Sequence, residues 1–222
     1  MNSSIFVTSA NLAGGIKTLH GKMSYTIITV ESTGARACGV KKILNDGEIS
    51  SGEFTVTSQS YPAYGVYQIL NYGKISSGEF TVTSQSCHAY GIKEIRDYGK
   101  IFGGEFKVTS QKTKAYGVKE ILNDGEISSG EFTVTSQESE AYGVWVIGGR
   151  GRISGGKFKV TGFSLAYGAW VMSSTLGAAH GDISGGVFTV TCQKGEAYGV
   201  FPLTPCKISG GTFSVQSYRG FL

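Results

Sequence analysis

Polar and apolar residues alternate strictly in a short segment that returns along almost the whole chain. One copy is EFTVTS at residues 79–84, in which Phe80 and Val82 are separated by polar residues. A period of two predicts a β-strand with one face toward a core. A second strand is predicted over residues 64–70, which are rich in aromatic and β-branched types, and a short third strand around Ile75. No long pattern with a 3.6-residue spacing accompanies them, so the chain is predicted to be all-β.

Two sequence markers show how these strands are spaced. The tetrapeptide AYG(V/I) is centred on Gly65, Gly91, Gly117 and Gly143, each 26 residues after the previous one. The motif I-x-x-G-x-F-x-V starts at Ile49, Ile75, Ile101, Ile127, Ile153, Ile183 and Ile208, with the same interval over the first five copies. A fixed period of this length is typical of stacked supersecondary units. With three short strands in each unit, it predicts a parallel β-solenoid, a right-handed β-helix of about eight coils of about 26 residues.

The repetition favours one continuous array over separate globular domains. We predict a single solenoid domain over residues 1–222, with residues 1–36 as a degenerate N-terminal coil or cap, 37–218 as the repeats and 219–222 as a tail. Within the first part, residues 23–30 align with residues 49–56. Terminal units of solenoids are expected to be atypical, because a regular exposed strand edge invites polymerisation.

Stacking turns each repeat position into a column along the solenoid axis. The predicted inward columns are Phe54, Phe80, Phe106, Phe132, Phe158, Phe188 and Phe213, then Val56, Val82, Val108, Val134, Val160, Val190 and Val215, and then the isoleucines that open each motif. Glycines equivalent to Gly78 are expected at a corner that requires a positive φ angle. Turns of the type Asn71-Tyr72-Gly73 are expected where the backbone again passes through positive φ.

Composition adds few constraints on function. The chain has 222 residues, with 34 glycines and 3 prolines, which is consistent with many tight turns. Its 20 basic and 16 acidic residues give a net charge of +4, and these charges are dispersed, so no nucleic-acid partner is implied. No apolar run is long enough to span a bilayer, so we expect no membrane insertion. The N-terminal segment also lacks the features of a secretory signal.

Four cysteines occupy unrelated positions of the repeat: Cys38, Cys87, Cys192 and Cys206. Their spacing contains no C-x-x-C pair, which argues against a zinc site. We expect free, buried thiols. A disulfide between Cys192 and Cys206 is the alternative.

The most regular outward feature is a column of threonines: Thr57, Thr83, Thr109, Thr135, Thr161 and Thr191. A neighbouring column contains Thr55, Thr81, Lys107, Thr133, Lys159 and Thr189. The resulting Thr-x-Thr face resembles that of ice-binding β-solenoids, in which flat threonine arrays contact ordered water. Threonine is also a good strand former, and the two lysines interrupt a flat array. Ice binding is therefore an alternative function rather than the main one.

The late repeats differ from the others. Outward positions that carry Lys41, Tyr67, Lys93 and Lys119 in earlier units carry Trp145, Trp170 and Phe201 later. Exposed aromatic residues and loops on a regular scaffold are common binding sites, so these three residues are candidates for binding. The alternative is that they cover a less regular part of the core.

Candidate catalytic and metal-binding residues are few. Glu53, Glu79, Glu105 and Glu131 would stack as a like-charge column that Lys157 ends; solvent screening or a bound cation would relieve the repulsion. The three histidines, His20, His88 and His180, occupy unrelated positions, and only Asp182 lies beside one of them. We assign no catalytic residue, no metal ligand and no cofactor.

The phrase I-S-G-G-x-F-x-V-T followed by A-Y-G, clearest in residues 153–168 and 183–200, resembles the glycine-rich repeats of bacterial surface and autotransporter-type β-helix proteins. The resemblance extends over residues 37–218 in rhythm. It implies display outside the cell, as an adhesin or a spacer stalk.

The sequence therefore predicts a non-enzymatic structural or adhesive scaffold that presents a regular repeat surface. The expected partners are another copy of the chain, bound end to end or laterally, or a surface glycan. The expected location is extracellular or at the cell surface. Besides ice binding, a carbohydrate-binding or carbohydrate-active β-helix is a second alternative.

Overall fold

A computed structural model of the chain describes residues 3–172 and 181–218. In chain order the strands are β1 (Ser3–Ser9), β2 (Ala13–Ile16), β3 (Lys22–Met23), β4 (Thr26–Ser32), β5 (Ala37–Ile43), β6 (Glu48–Ile49), β7 (Gly52–Ser58), β8 (Ala63–Ile69), β9 (Lys74–Ile75), β10 (Glu79–Ser84), β11 (Ala89–Ile95), β12 (Lys100–Ile101), β13 (Glu105–Ser110), β14 (Ala115–Ile121), β15 (Glu126–Ile127), β16 (Glu131–Ser136), β17 (Ala141–Ile147), β18 (Arg152–Ile153), β19 (Lys157–Gly162), β20 (Leu165–Val171), β21 (Asp182–Ile183), β22 (Val187–Cys192), β23 (Glu196–Pro202), β24 (Lys207–Ile208) and β25 (Thr212–Ser217). Within the described ranges there is no helix.

These strands form three parallel sheets: each of eight complete coils contributes one strand to each sheet, and β25 adds a further strand to the first sheet. The first sheet has nine strands, in the order β1-β4-β7-β10-β13-β16-β19-β22-β25. The second has eight, β2-β5-β8-β11-β14-β17-β20-β23, and the third has the eight two-residue strands from β3 to β24. Eight coils, stacked about 26 residues apart, confirm the predicted β-solenoid. The N-terminal alignment is also confirmed, since Met23 pairs with Ile49 and Val30 with Val56. The sequence did not predict β1.

The core is a set of in-register apolar columns between the three sheets. Phenylalanine rings stack almost face to face, with centroids 4.3 Å apart for Phe54 and Phe80 and 4.7 Å apart for Phe106 and Phe132. The valine and isoleucine columns predicted to face inward are fully buried in the central coils. Because each ring lies on its equivalent in the next coil, the inward residues of successive strands form one continuous core.

Two kinds of backbone constraint form the corners of each coil. Gly78 has φ +127° and its equivalents are similar, as predicted. At the Asn71-Tyr72-Gly73 turn, Asn71 and Tyr72 both have positive φ, at 49° and 65°. Gly91 has a different role, because a Cβ atom there would lie 2.6 Å from the Gly117 carbonyl oxygen of the next coil. The glycine of the AYG(V/I) motif is therefore required by close backbone packing between coils.

A buried serine closes the corner between the first and second sheets. Ser110 Oγ donates a hydrogen bond to the Cys87 carbonyl oxygen (3.0 Å) and accepts one from the Thr113 N–H (3.1 Å). Cys192 replaces this serine in a later coil and makes the same two contacts, at 3.4 and 3.2 Å.

All four cysteines are free thiols, with Cys38 and Cys192 buried and Cys87 and Cys206 half-buried. The alternative of a Cys192–Cys206 disulfide is therefore wrong, and the expected burial holds for two of the four thiols.

The late irregularities are absorbed without loss of register. Tyr142 pairs with Tyr167 across an interval of 25 residues, and Ile153 pairs with Ile183 across an interval of 30. His180 and most of the long loop that precedes it lie outside the described residues.

Candidate functional site

The residues proposed for binding lie on two different faces of the solenoid. The six threonines from Thr57 to Thr191, here called the threonine column, pair in register along the outer side of the first sheet. Each of them is half-buried. The members of the neighbouring column are exposed: Thr55, Thr81, Lys107, Thr133, Lys159 and Thr189. The first sheet therefore presents two parallel polar columns on one outward surface.

Charged side chains interrupt that surface. Lys107 and Lys159 are exposed and stand in register with the threonines of the second column. The glutamates Glu53, Glu79, Glu105 and Glu131 form a third exposed column beside them. Lys157 ends this column, as predicted, with its Nζ 2.5 Å from Glu131 Oε1. The outer face of the first sheet is consequently a mixed charged and hydroxyl surface.

The outer face of the second sheet carries a column that sequence reasoning missed. The tyrosines of the AYG(V/I) motif stack as Tyr64, Tyr90, Tyr116, Tyr142, Tyr167 and Tyr198, called here the tyrosine column. Their ring centroids lie 4.9–5.2 Å apart with nearly parallel planes. Tyrosine recurs at this position at the same interval as the phenylalanines of the core, and this was the available signal.

Trp145, Trp170 and Phe201 lie in one outward column beside these tyrosines, and together they are called the aromatic surface. All three are half-buried. Trp170 contacts Phe201, with centroids 4.9 Å apart, and packs edge-on against Tyr167 at 4.8 Å. Trp145 lies 5.7 Å from Tyr116. The structure thus brings the three predicted residues together on one face, where they pack on an external aromatic stack and leave part of each ring exposed.

Lysines occupy the same column in the earlier coils and contact aromatic rings. Lys93 Nζ lies 4.1 Å from the centroid of the Tyr67 ring, and Lys119 Nζ lies 5.2 Å from that of Trp145. Cations at such distances are attracted to the ring face. Apart from Tyr67, the column therefore changes along its length from cationic to aromatic.

Electrostatics along the tyrosine column favour neutral rings. Burial, followed by the hydrogen bond to Glu140, raises the pKa of Tyr142 above its ordinary value. Burial opposes ionisation of Glu140, but hydrogen bonds from Tyr142 and Lys114 outweigh it and lower the Glu140 pKa. Lys114 Nζ lies 2.9 Å from the Glu140 carboxylate. Tyr142 therefore stays protonated at neutral pH and packs in the column as a neutral ring.

The histidines are not brought together by the fold in the part of the chain that is described. His20 is exposed in the first coil, whereas His88 is half-buried and its Nδ1 lies 2.9 Å from Thr113 Oγ1. Asp182 is half-buried at the start of β21. In residues 3–172 and 181–218, no group of three His, Cys, Asp or Glu side chains is arranged to hold a metal ion. The same residues contain no helix long and apolar enough to cross a membrane.

No protein-family model, curated protein or solved structure matches this chain.

Proposed function

We propose that this protein is a non-enzymatic structural or adhesive scaffold that presents a regular repeat surface outside the cell or on its surface. The observation that carries the proposal is the register of the outward residues. On the first sheet, hydroxyl and charged side chains return at the same height in each coil, over strands β7 to β22. Uniform columns of this kind suit a protein whose role depends on a long, regular surface and not on one localised site, as in a spacer stalk or an adhesin. The resemblance to autotransporter-type repeats supports the same role.

A glycan is the partner that best suits the second sheet. The aromatic surface combines partly exposed rings with the stacked tyrosines behind them, which hold the rings in place. The apolar C–H faces of pyranose rings pack well on aromatic rings held in this way, and a rigid ring loses little conformational entropy on binding. A row of rings along the axis matches an extended sugar chain better than it matches a single small sugar.

The test is a glycan array with the wild-type protein and with Trp170→Ala and Phe201→Ala variants. We expect binding to extended glycans that either variant weakens by about tenfold or more, which corresponds to about 1.4 kcal/mol. Lys112→Ala is a suitable control, because Lys112 is exposed on a turn away from the aromatic surface. Glycan binding that is equal in all four proteins would contradict the assignment of this face.

Ice binding remains a second candidate because the threonine column is continuous over six coils in register. The test is thermal hysteresis of the purified protein beside Thr83→Tyr and Thr135→Tyr variants. The scaffold proposal expects no hysteresis, since Lys107, Lys159 and the glutamates prevent a flat hydroxyl array. Hysteresis in the wild type that disappears in both variants would overturn it.

A further inference from the structure

The tyrosine column ends abruptly at Tyr64, and a cavity lies where the next rings would be. In register with Tyr64, the two preceding coils carry Cys38 and then Gly14. Neither side chain supplies a ring. A cavity of about 440 Å³ occupies this place, and Cys38, Gly14 and Tyr64 are among the residues that line it. Because both Gly14 and Cys38 line it, the cavity borders the positions of two missing rings.

One wall of the cavity is aromatic. Tyr64 is stacked on Tyr90 on one side, with centroids 4.9 Å apart and planes within 5°. Tyr67 stands edge-on to Tyr64, with centroids 5.1 Å apart and an interplanar angle of 67°. Together they form an aromatic corner that offers the face of one ring and the edge of another. A planar ring placed in this corner would continue the column with the same offset stacking that its members already use.

The rim of the cavity is cationic. Lys17, Arg36 and Lys41 line it, all three are exposed, and no lining residue is acidic. Lys17 and Lys41 belong to the same outward column, one coil apart, by the register of β2 with β5. Within the described residues none of the three forms a salt bridge. By contrast, the cation beside Tyr142, Lys114, is paired with Glu140 at 2.9 Å.

The geometry points to a binding site for a small planar aromatic anion, whose ring stacks on Tyr64 as the next member of the tyrosine column. The negative group of the ligand faces Arg36 and the lysines at positions 17 and 41. A guanidinium and two ammonium groups at one rim match a carboxylate, sulfonate or phosphate attached to a ring, because charge-assisted hydrogen bonds are the strongest available to such groups. A neutral aromatic ligand would not neutralise these positive charges, and an aliphatic acid would not stack on the Tyr64 ring.

The site is separate from the aromatic surface. The aromatic surface starts at Trp145, three coils beyond Tyr67 in the same outward column, where Lys93 and Lys119 intervene. Failure of this inference would therefore leave the proposed scaffold function unaffected, and loss of glycan binding would leave this site unaffected.

The experiment measures binding of 2-naphthoate by titration calorimetry, with 2-naphthamide and cyclohexanecarboxylate as matched probes that lack the charge or the aromatic ring. We expect saturable binding of 2-naphthoate at millimolar or lower concentration, and binding of each matched probe that is weaker by about tenfold or more. Absence of saturable 2-naphthoate binding, or equal binding of the three probes, would overturn the assignment.

Two variants locate the site. Gly14→Tyr/Cys38→Tyr places rings at both missing positions and should abolish binding. A Cβ at Gly14 would meet its nearest neighbour, the Cys38 carbonyl oxygen, only at 3.9 Å. The control Thr133→Tyr adds an exposed tyrosine on the first sheet and should bind like the wild type. Arg36→Gln should weaken 2-naphthoate binding and reduce the preference for the acid over the amide. If the filled variant, shown to be folded by circular dichroism, still binds 2-naphthoate as the wild type does, the inference is wrong.

Discussion

At the scale of single residues, the direction in which each side chain points decides what it contributes. Phe106 and Val108 are buried between rings and methyl groups of the coils on either side, whereas Lys107 between them is exposed. This alternation was predictable from the sequence, because a polar–apolar period of two indicates a strand with its apolar side chains buried and its polar side chains exposed. The outward tyrosines were not predictable in the same way, since an aromatic residue at a fixed interval is compatible with either face.

The first prediction tests the assignment of the two faces. Phe106→Ala should lower the free energy of unfolding by about 3–5 kcal/mol, because it opens a cavity in the middle of the phenylalanine stack. Lys107→Ala, one residue along the chain, should change it by no more than about 0.5 kcal/mol. Chemical denaturation of both variants measures the difference. Similar losses for the two would show that the inward and outward faces are assigned incorrectly.

Cys38 gives a prediction at the same scale. Burial raises the pKa of its thiol to about 12, although the charges of Lys41 and Arg36 oppose the shift. Because the folded pKa lies above the unfolded value of 9.0, the protonated thiol contributes stability that is complete below about pH 9 and is lost as the pH rises toward 12. At about pH 8, iodoacetamide should therefore alkylate Cys38 much more slowly in the native protein than after unfolding.

The half-buried Cys87 is the internal reference for that measurement, since it should react faster than Cys38 in the same sample. Mass spectrometry of peptides after timed quenching gives both rates. Native Cys38 that reacts as fast as Cys87 would contradict the raised pKa of its thiol.

At the scale of elements, the corners matter as much as the strands. Turns such as Asn71-Tyr72-Gly73 were predictable, because Asn followed two residues later by Gly indicates positive φ. The buried serine corner was not predicted: Ser84 has the same parity as Phe80 and Val82 and so lies on the inward side of the alternation, but a polar residue at the end of a strand does not by itself indicate burial. The hydrogen bonds of Ser84 and its equivalents to backbone groups up to 23 residues away become visible only when the coils are stacked.

The second sheet shows a related limit. Its strands do not alternate regularly, since Ala89, Gly91 and Ile92 all lie on the inner side or against the next coil, with Tyr90 outside. The tyrosine column could therefore not be predicted, because its segment has no regular polar–apolar alternation that would assign each side chain to a face.

A prediction at this scale concerns the serine corner. Ser110→Ala should destabilise the protein by about 1–3 kcal/mol, because it leaves the Cys87 carbonyl and the Thr113 N–H unpaired in a buried place. Ser110→Cys should cost less, since Cys192 makes the equivalent two contacts in a later coil. Thermal and chemical unfolding of the two variants, with the exposed Ser86→Ala as the control, measures the ranking. A cysteine variant no more stable than the alanine variant would show that Cys192 does not replace the serine's hydrogen bonds.

At the scale of the whole molecule, the repeat determines the architecture but not the ligand. Coil number, sheet parallelism and the inward columns follow from the 26-residue period, because stacking identical units leaves few other arrangements. The cavity beside Tyr64 does not follow from it. Cys38 and Gly14 look like ordinary departures from a motif until the tyrosines are known to stack on the outside. A departure from the repeat can therefore be interpreted only when the structure shows on which face the interrupted column lies.

The two ends of the solenoid also differ from its middle. In the described residues of the last coil, inward positions are exposed: Val215 is 45% exposed and Ile208 46%, whereas Val190 and Ile183, one coil earlier, are fully buried. β25 and β1 form the two edges of the first sheet. Another parallel coil stacked on this edge would cover the exposed apolar side chains. The scaffold proposal therefore includes end-to-end contact between copies.

The last prediction follows from this exposure. Val215→Lys puts a charge into the emerging valine column and should reduce end-to-end assembly, because a stacked copy would have to bury an unpaired ammonium group. Ser214→Lys, its outward neighbour on β25, changes the net charge equally and should leave assembly unchanged. Electron microscopy for filaments and light scattering over a range of protein concentrations compare the two variants with the wild type. A wild type that stays monomeric at every concentration would remove self-assembly from the proposed function, and equal inhibition by both variants would attribute the effect to charge repulsion and not to the open core.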